Sequence, residues 1–122
     1  PKRNLHNPPD RPADWKKEEA TSTEQALLYR LNGDLNPLHA DPEIGKMAGF
    51  GQPILHGLCT YGFVGRAILE HSCGRDPARF RSFAGSFKKP VWPGETLITE
   101  GWQDGDEVTV RATVSARRPK TH

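Results

Sequence analysis

The spacing of apolar residues separates a helical part of the chain from an extended part. In residues 23–31 the apolar positions recur at the spacing of one helix face, and Gly33 follows where glycine often ends a helix. A short helix is predicted to begin at Asp41 and Pro42, which suit an N-cap and a first helical turn. Residues 54–69 form the longest mostly apolar run and have the length of a buried central helix. The first part of the chain is therefore predicted to be mainly helical.

Strand patterns dominate the last third of the chain, and one short strand is predicted earlier, at 15–21. Three strands are predicted at 80–90, 95–102 and 107–114, with glycine-containing turn signals between them. In the last of these an apolar residue at every second position predicts one buried face. A strand, helices, a long buried helix and then an antiparallel meander together predict an α+β fold in which a sheet wraps around one helix.

Composition indicates one domain with little apolar material. The chain has 122 residues, of which 34% are hydrophobic, and its mean hydropathy is -0.71. Residues 1–14 are rich in proline and charge and are predicted to form an extended arm, followed by a single domain over 15–122. Such a thin core favours a subunit that hides apolar surface against a partner, so a homodimer or larger homo-oligomer is expected.

Charge and cysteine usage exclude several classes of protein. The net charge is only +2, which gives no basis for nucleic-acid binding. No apolar stretch reaches the length of a membrane span, and the N-terminal residues lack an apolar signal core, so neither a membrane location nor secretion is expected. Cys59 and Cys73 lie in or beside an apolar helical run and are interpreted as reduced, packing thiols.

One loop carries three polar side chains that could take part in a reaction. Asp34, Asn36 and His39 place a carboxylate, an amide and an imidazole within six residues, and Gly33 and Pro37 bend the backbone around them. All three are also common in turns, so a purely structural role is an open alternative. Held on a shaped loop, an acid and a base are suited to proton transfer.

Two neighbouring residues open the long predicted helix. Gly57 lies in its first turn, where free N–H groups and the helix dipole favour negative charge, although tight helix–sheet packing explains a glycine as well. His56 is expected to be a core or supporting residue rather than a catalytic one. A metal site is not expected, because neither a regular histidine pair nor a cysteine pattern accompanies the possible ligands. These ligands are Asp34, His39, Asp41 and His56.

Four basic residues cluster around the predicted strand 80–90. Two interpretations stay open for them, a solvated face and contact with the phosphates of a coenzyme. The four residues are Arg79, Arg81, Lys88 and Lys89.

Three blocks of the chain resemble the MaoC-like, type 2 or R-specific, enoyl-CoA hydratases. The first block reads Tyr29-Arg-Leu-Asn-Gly-Asp-Leu-Asn-Pro-Leu-His39, with Asn32 where the family usually has Ser or Thr. The others are 49–60, which opens the long helix, and 89–97. The second half of the eukaryotic two-hot-dog hydratases, part of a peroxisomal multifunctional enzyme, resembles this chain most.

This resemblance implies a hot-dog fold, with a long helix wrapped by an antiparallel sheet, and an acyl-CoA ligand. It implies that Asp34 and His39 are the catalytic pair and that Asn36 orients the water or a catalytic side chain. The Gly57 N–H would bind the thioester oxygen. The implied reaction is R-specific hydration of trans-2-enoyl-CoA to (3R)-hydroxyacyl-CoA in fatty-acid metabolism, with no cofactor beyond the coenzyme A that is part of the substrate.

Other functions on the same scaffold stay open, because fold alone does not determine chemistry. They are a hot-dog thioesterase, a dehydratase acting on carrier-bound acyl groups, and a non-catalytic acyl-CoA binding subunit. The spacing from Asp34 to His39 argues against the thioesterase. A peroxisomal or a cytoplasmic location is expected.

The end of the chain departs from the family pattern. After Val114 the family continues into a further strand, whereas residues 115–122 are basic, contain proline and suit a strand poorly. We therefore expect either a truncated chain or a last sheet position that is filled otherwise. The chain also carries only one hot-dog unit where the similar eukaryotic hydratases have two, so a site that needs a second subunit is expected.

Overall fold

A three-stranded antiparallel sheet organises the structure, a computed structural model that describes residues 8–115. The strands are β1 (Trp15–Ala20), β2 (Thr96–Asp104) and β3 (Glu107–Val114), with β2 in the middle. A two-residue turn at 105–106 joins β2 to β3, so these two form a hairpin. Three of the four predicted strands are thereby confirmed, while the predictions for residues 1–7 and 116–122 lie outside the described residues.

Three α-helices connect β1 to β2. The first is α1 (Gln25–Tyr29), which continues as a 3-10 turn and ends at Gly33 with φ 105°. It is followed by α2 (Pro42–Met47), which Asp41 caps by accepting a hydrogen bond from the Glu43 N–H. The long α3 (Gly57–His71) begins within the predicted apolar run. All three predicted helices are confirmed, and shorter 3-10 turns lie at Pro37–His39 and Pro77–Arg79.

The core lies on the buried side of α3, against the sheet at one end and against α1 and the segment before α3 at the other. Cys59, Val64, Ala67 and Ile68 form the buried side of α3. Val64 and Ile68 pack with Cys73 and Trp15 at one end, while Cys59 packs with Ala26 and Leu55 at the other. Both cysteines are unpaired and buried, as predicted, and burial raises the pKa of the Cys59 thiol.

Trp15 joins the start of β1 to the end of α3. Its indole Nε1 donates to Ser72 Oγ at 2.8 Å, and its rings stack on His71 at 5.1 Å. Gly101 of β2 lies opposite Trp15 in the register, where a Cβ would come within 2.2 Å of the indole. The absence of a side chain at Gly101 therefore allows this tryptophan to lie flat across the sheet.

The predicted strand at 80–90 is wrong, since this segment has no regular secondary structure. Its aromatic side chains pack against α3 instead of alternating across a sheet. Phe83 stacks on Tyr61 with ring centroids 4.2 Å apart, and the Tyr61 hydroxyl donates to the Phe83 carbonyl oxygen. The basic residues near this segment therefore do not occupy adjacent strand positions.

The buried face predicted for β3 is only partly buried. Val108, Val110 and Val114 are half-buried and Ala112 is exposed. These residues line a groove of about 1130 Å³ between β3 and the irregular segment 82–91. The sheet therefore wraps around α3 less closely than the alternation pattern predicts.

In the part of the chain that the structure describes, we find no helix with the length and apolarity needed to cross a bilayer.

We predict that Gly101→Ala lowers the free energy of unfolding by about 1–3 kcal/mol, because a new methyl group overlaps the Trp15 indole. Urea unfolding followed by tryptophan fluorescence and by circular dichroism measures this change. Gly62→Ala is the matched control, since nothing lies near its Cβ position in α3, and should stabilise by roughly 0.5–1 kcal/mol. Equal stability of Gly101→Ala and the wild type would contradict the packing described for Trp15.

Candidate active site

Local hydrogen bonds shape the loop between α1 and α2. The Asn36 side chain accepts a hydrogen bond from the Leu38 N–H at 3.0 Å and so caps the 3-10 turn that contains His39. The Asn36 N–H donates to Asp34 Oδ1 at 3.4 Å. The turn-forming role is therefore real for Asp34 and Asn36. It also places the carboxylate and the imidazole on one rigid loop, so the structural and chemical interpretations are compatible.

His39 is held in a defined tautomer by the segment that precedes α3. Its Nδ1 lies 2.8 Å from the Ile54 carbonyl oxygen. A carbonyl oxygen only accepts hydrogen bonds, so Nδ1 carries the proton when the ring is neutral. The lone pair of neutral His39 is then on Nε2. This nitrogen is the one that can accept a proton from a bound molecule.

His56 connects the loop to the start of α3. Its Nε2 lies 3.2 Å from the Asp34 carbonyl oxygen and 4.0 Å from Asp34 Oδ2. Its ring stacks on His39 with centroids 3.9 Å apart and planes at 25°. The His56 side chain is 1% exposed, whereas that of Asp34 is 46% exposed. Sequence reasoning predicted a supporting role for His56 and grouped it with Asp34 only as a possible metal ligand, because 22 residues separate the two.

Burial favours the neutral form of His56. Desolvation lowers the pKa of this imidazole below its usual 6.5, and the nearby His39 and Arg30 lower it further. The hydrogen bond to the Asp34 carbonyl and the charge of the Asp34 carboxylate act in the opposite direction but are outweighed. A second proton on His56 would have to occupy Nδ1, which is buried and has no hydrogen-bond partner among residues 8–115.

Gly57 lies in the first turn of α3, as the sequence predicts, and is its first residue, so the helix begins three residues later than the predicted run. The ring of Phe87 approaches it, so a Cβ at this position would lie 3.4 Å from the ring, an ordinary van der Waals distance. Packing alone therefore does not require glycine here. The N-terminus of the fifteen-residue α3 is aimed at the same region as the loop, because His56 immediately precedes Gly57.

The four predicted phosphate-binding residues fall into two pairs. Lys88 and Lys89 are exposed and line the groove beside β3. Arg79 ends the 3-10 turn after α3, and Arg81 is exposed two residues later. The lysine pair lies next to Phe87 and therefore close to Gly57, whereas both arginines lie outside the lining of the groove.

A metal ion is a less suitable occupant of this site than a proton-transfer partner. Donor atoms of Asp34, His39 and His56 lie within 4.8 Å of one another, which is close enough to consider chelation. The two imidazoles are stacked, however, so their in-plane lone pairs do not converge on one point. One nitrogen of each ring is also within hydrogen-bond distance of a carbonyl oxygen. The absence of a metal ligand set stays a prediction.

Comparison with known proteins identifies close relatives. Residues 4–122 match a family described as the MaoC like domain. The chain is 56% identical to the probable enoyl-CoA hydratase 2 of Dictyostelium discoideum over 79% of its length and 33% of that protein. It is 49% identical to the peroxisomal multifunctional enzyme type 2 of Mus musculus over 87% of its length and 14% of that protein. The chain therefore spans a third or less of the length of these two relatives.

A solved structure confirms the predicted fold. The MaoC-like dehydratase from Phytophthora capsici superimposes with a TM-score of 0.92 at 47% identity, covering 96% of this chain and 42% of that one. The α+β arrangement of a long helix against an antiparallel sheet is the hot-dog fold. The roles of the individual site residues stay predictions.

We predict that the free energy of unfolding falls as the pH is lowered through about 6.5. The unfolded chain binds a proton at His56 more readily than the folded chain, so stability rises with pH in this window. One such group contributes at most about 1.4 kcal/mol per pH unit. Urea unfolding at about pH 5.5 and about pH 7.5 measures the difference, which should shrink in His56→Gln. An unchanged pH dependence in His56→Gln would refute this prediction.

Proposed function

The chain belongs to the family of MaoC-like domains, and from this we propose that it catalyses R-specific hydration of a trans-2-enoyl-CoA to a (3R)-hydroxyacyl-CoA in fatty-acid metabolism. One observation carries the proposal. The Asp34 carboxylate and the His39 imidazole share one loop, and the buried His56 touches both beside the N-terminus of α3. An acid–base pair next to a site for developing negative charge is what addition of water to an enoyl thioester requires.

In the proposed reaction a water molecule is held between Asp34 and His39. The water oxygen bonds to C3 as one of the two groups takes a proton from it, and the π electrons of the double bond move towards the thioester. The pair then returns one proton to C2, so that water has been added and both groups recover their starting state. The lone pair of neutral His39 on Nε2 suits proton uptake. The side-chain oxygen of Asn36 already accepts a hydrogen bond from the Leu38 N–H. Its NH₂ group is therefore the part that orients the water or a catalytic side chain.

The charge that develops on the thioester oxygen is stabilised at the start of α3. We assign this role to the Gly57 N–H together with the positive end of the helix dipole. Loss of one such donor costs roughly 2.7–4 kcal/mol of transition-state stabilisation. Glycine here lets a thioester approach the backbone.

The coenzyme portion of the substrate is placed along the groove beside β3. Its phosphates would contact Lys88 and Lys89, which line that groove, and the more distant Arg79 and Arg81 are the further candidates. We also propose that the chain forms a homodimer or a larger homo-oligomer with a second hot-dog unit, because large apolar side chains such as Leu31, Met47 and Leu58 are exposed. The name of the mouse relative favours the peroxisome over the cytoplasm.

Dehydration is the second candidate function, since the similar structure from Phytophthora capsici is called a dehydratase. It is the same reaction in reverse and would use the same residues. A thioesterase would instead release free thiol without loss of the conjugated enoyl absorbance, and a non-catalytic subunit would bind acyl-CoA without turnover.

We predict that Asp34→Asn and His39→Gln each reduce hydration of enoyl-CoA by about 10²–10⁴-fold, because each removes one member of the acid–base pair. Loss of the conjugated enoyl absorbance measures the rate, with acyl chains of graded length. Chiral analysis of the product should show the (3R) alcohol.

Two surface variants control for nonspecific damage in this assay. Asp104→Asn and His71→Gln make the same chemical changes at exposed positions and should retain wild-type rates. Wild-type rates in both loop variants, or a (3S) product, would disprove the proposed reaction.

We predict that Lys88→Gln combined with Lys89→Gln raises KM for enoyl-CoA by about three- to tenfold with little change in kcat, since two exposed charge contacts are lost. The matched test uses an enoyl thioester of N-acetylcysteamine, which lacks the nucleotide phosphates. Its KM should be the same for the double variant and the wild type. A parallel rise in both KM values would show that the lysines do not act on the phosphates.

A further inference from the structure

His56 is fixed by both its backbone and its side chain. It is the N-cap of α3, and its carbonyl oxygen accepts hydrogen bonds from the N–H groups of Cys59 and Thr60 at 3.1 and 3.2 Å. Its side chain is almost completely buried. The imidazole therefore moves only if the start of α3 moves, which makes it a rigid reference point beside the loop.

The edge of the His56 ring holds the backbone of Asp34. Nε2 lies within hydrogen-bond distance of the Asp34 carbonyl oxygen, and since that oxygen can only accept, Nε2 carries the hydrogen. The carboxylate of Asp34 is nearly half exposed and has no other buried anchor among the contacts that the described residues show. The hydrogen bond to the Asp34 carbonyl therefore fixes the position of the backbone from which this carboxylate extends.

The face of the same ring supports His39. The two imidazoles stack at 3.9 Å, and Tyr29 contacts His56 with its ring tilted by 45° at 4.7 Å. The groups that face His56 are thus His39, Asp34, Tyr29 and the guanidinium of Arg30. A cation at His56 would meet both Arg30 and any proton taken up by His39, so the neutral form suits this place.

We propose that His56 is a positioning residue that sets the separation of the two catalytic groups, holding Asp34 through its Nε2–H and His39 through its ring face. This proposal rests on the proposed function, because it assigns Asp34 and His39 to one reaction. His56 itself touches no substrate. It acts by keeping the carboxylate and the imidazole in the geometry in which one water reaches both, and small errors in such a geometry are costly.

Two variants separate the two contacts. His56→Phe keeps an aromatic ring against His39 but loses the donor to Asp34, whereas His56→Gln keeps a donor but loses the stacked ring. Each should lower kcat for hydration by about 10–100-fold, with KM changed by no more than about twofold. Cys59→Ala is the control for truncation in the same buried turn of α3 and should keep the wild-type kcat.

A double-mutant cycle distinguishes positioning from loss of packing. In the Asp34→Asn background, His56→Phe should lower kcat by no more than about twofold further, because the group that it positions is already disabled. A merely structural role predicts the same fold-loss in both backgrounds. Additive effects, or wild-type kcat in both folded single variants, would overturn the proposal.

The tautomer of His56 tests the same idea without any variant and without activity. Nitrogen-15 NMR of the wild-type chain at about pH 7.5 should show His56 neutral with its hydrogen on Nε2. A hydrogen on Nδ1, or an imidazolium, would overturn the positioning role even if the His56 variants fail to fold. If the wild type lacks hydration activity but shows the expected tautomer, the proposed function fails while the predicted contact stands.

Discussion

The short segment of residues 54–56 that leads into α3 is the constraint on which the rest of the structure depends. Its backbone forms hydrogen bonds with two other segments. The Leu55 N–H donates to the Val91 carbonyl at 2.7 Å, and the Ile54 carbonyl accepts from His39 Nδ1. Leu55 is buried against Ala26 of α1, and His56 contacts Asp34. Three consecutive residues thus join the loop, the first helix and the segment before β2, and the position of α3 follows from them.

Local signals predicted the regular elements well. The cap at Asp41, the left-handed Gly33 and the alternation in β3 depend on neighbouring residues, and such patterns are visible in one sequence. The segment 80–90 shows the limit of this reasoning. Its alternating aromatic residues fit a strand, but a strand also needs a partner, and here the rings of Phe83 and Phe87 pack near Tyr61 instead.

The candidate site was predictable in its composition but not in its connections. Asp34, Asn36 and His39 are close in sequence, so their meeting on a loop could be expected. His56 joins them across a long sequence separation, and the tautomers of both histidines depend on carbonyl groups that no residue pattern reveals. The backbone carbonyl groups determine which nitrogen of each ring carries the hydrogen, and the proposed chemistry depends on this choice of nitrogen.

The open side of β3 has a consequence for the behaviour of the protein in solution. Within the described part of the chain β3 pairs only with β2, so its other edge presents backbone donors and acceptors beside a valine-rich face. Such an edge is a template for aggregation. Arg111 in β3 is exposed and forms an ion pair with Glu100 of β2 at 3.0 Å. A charged side chain on this strand opposes edge-to-edge pairing of two copies. Arg111 therefore protects against aggregation, independently of the chemistry at the loop.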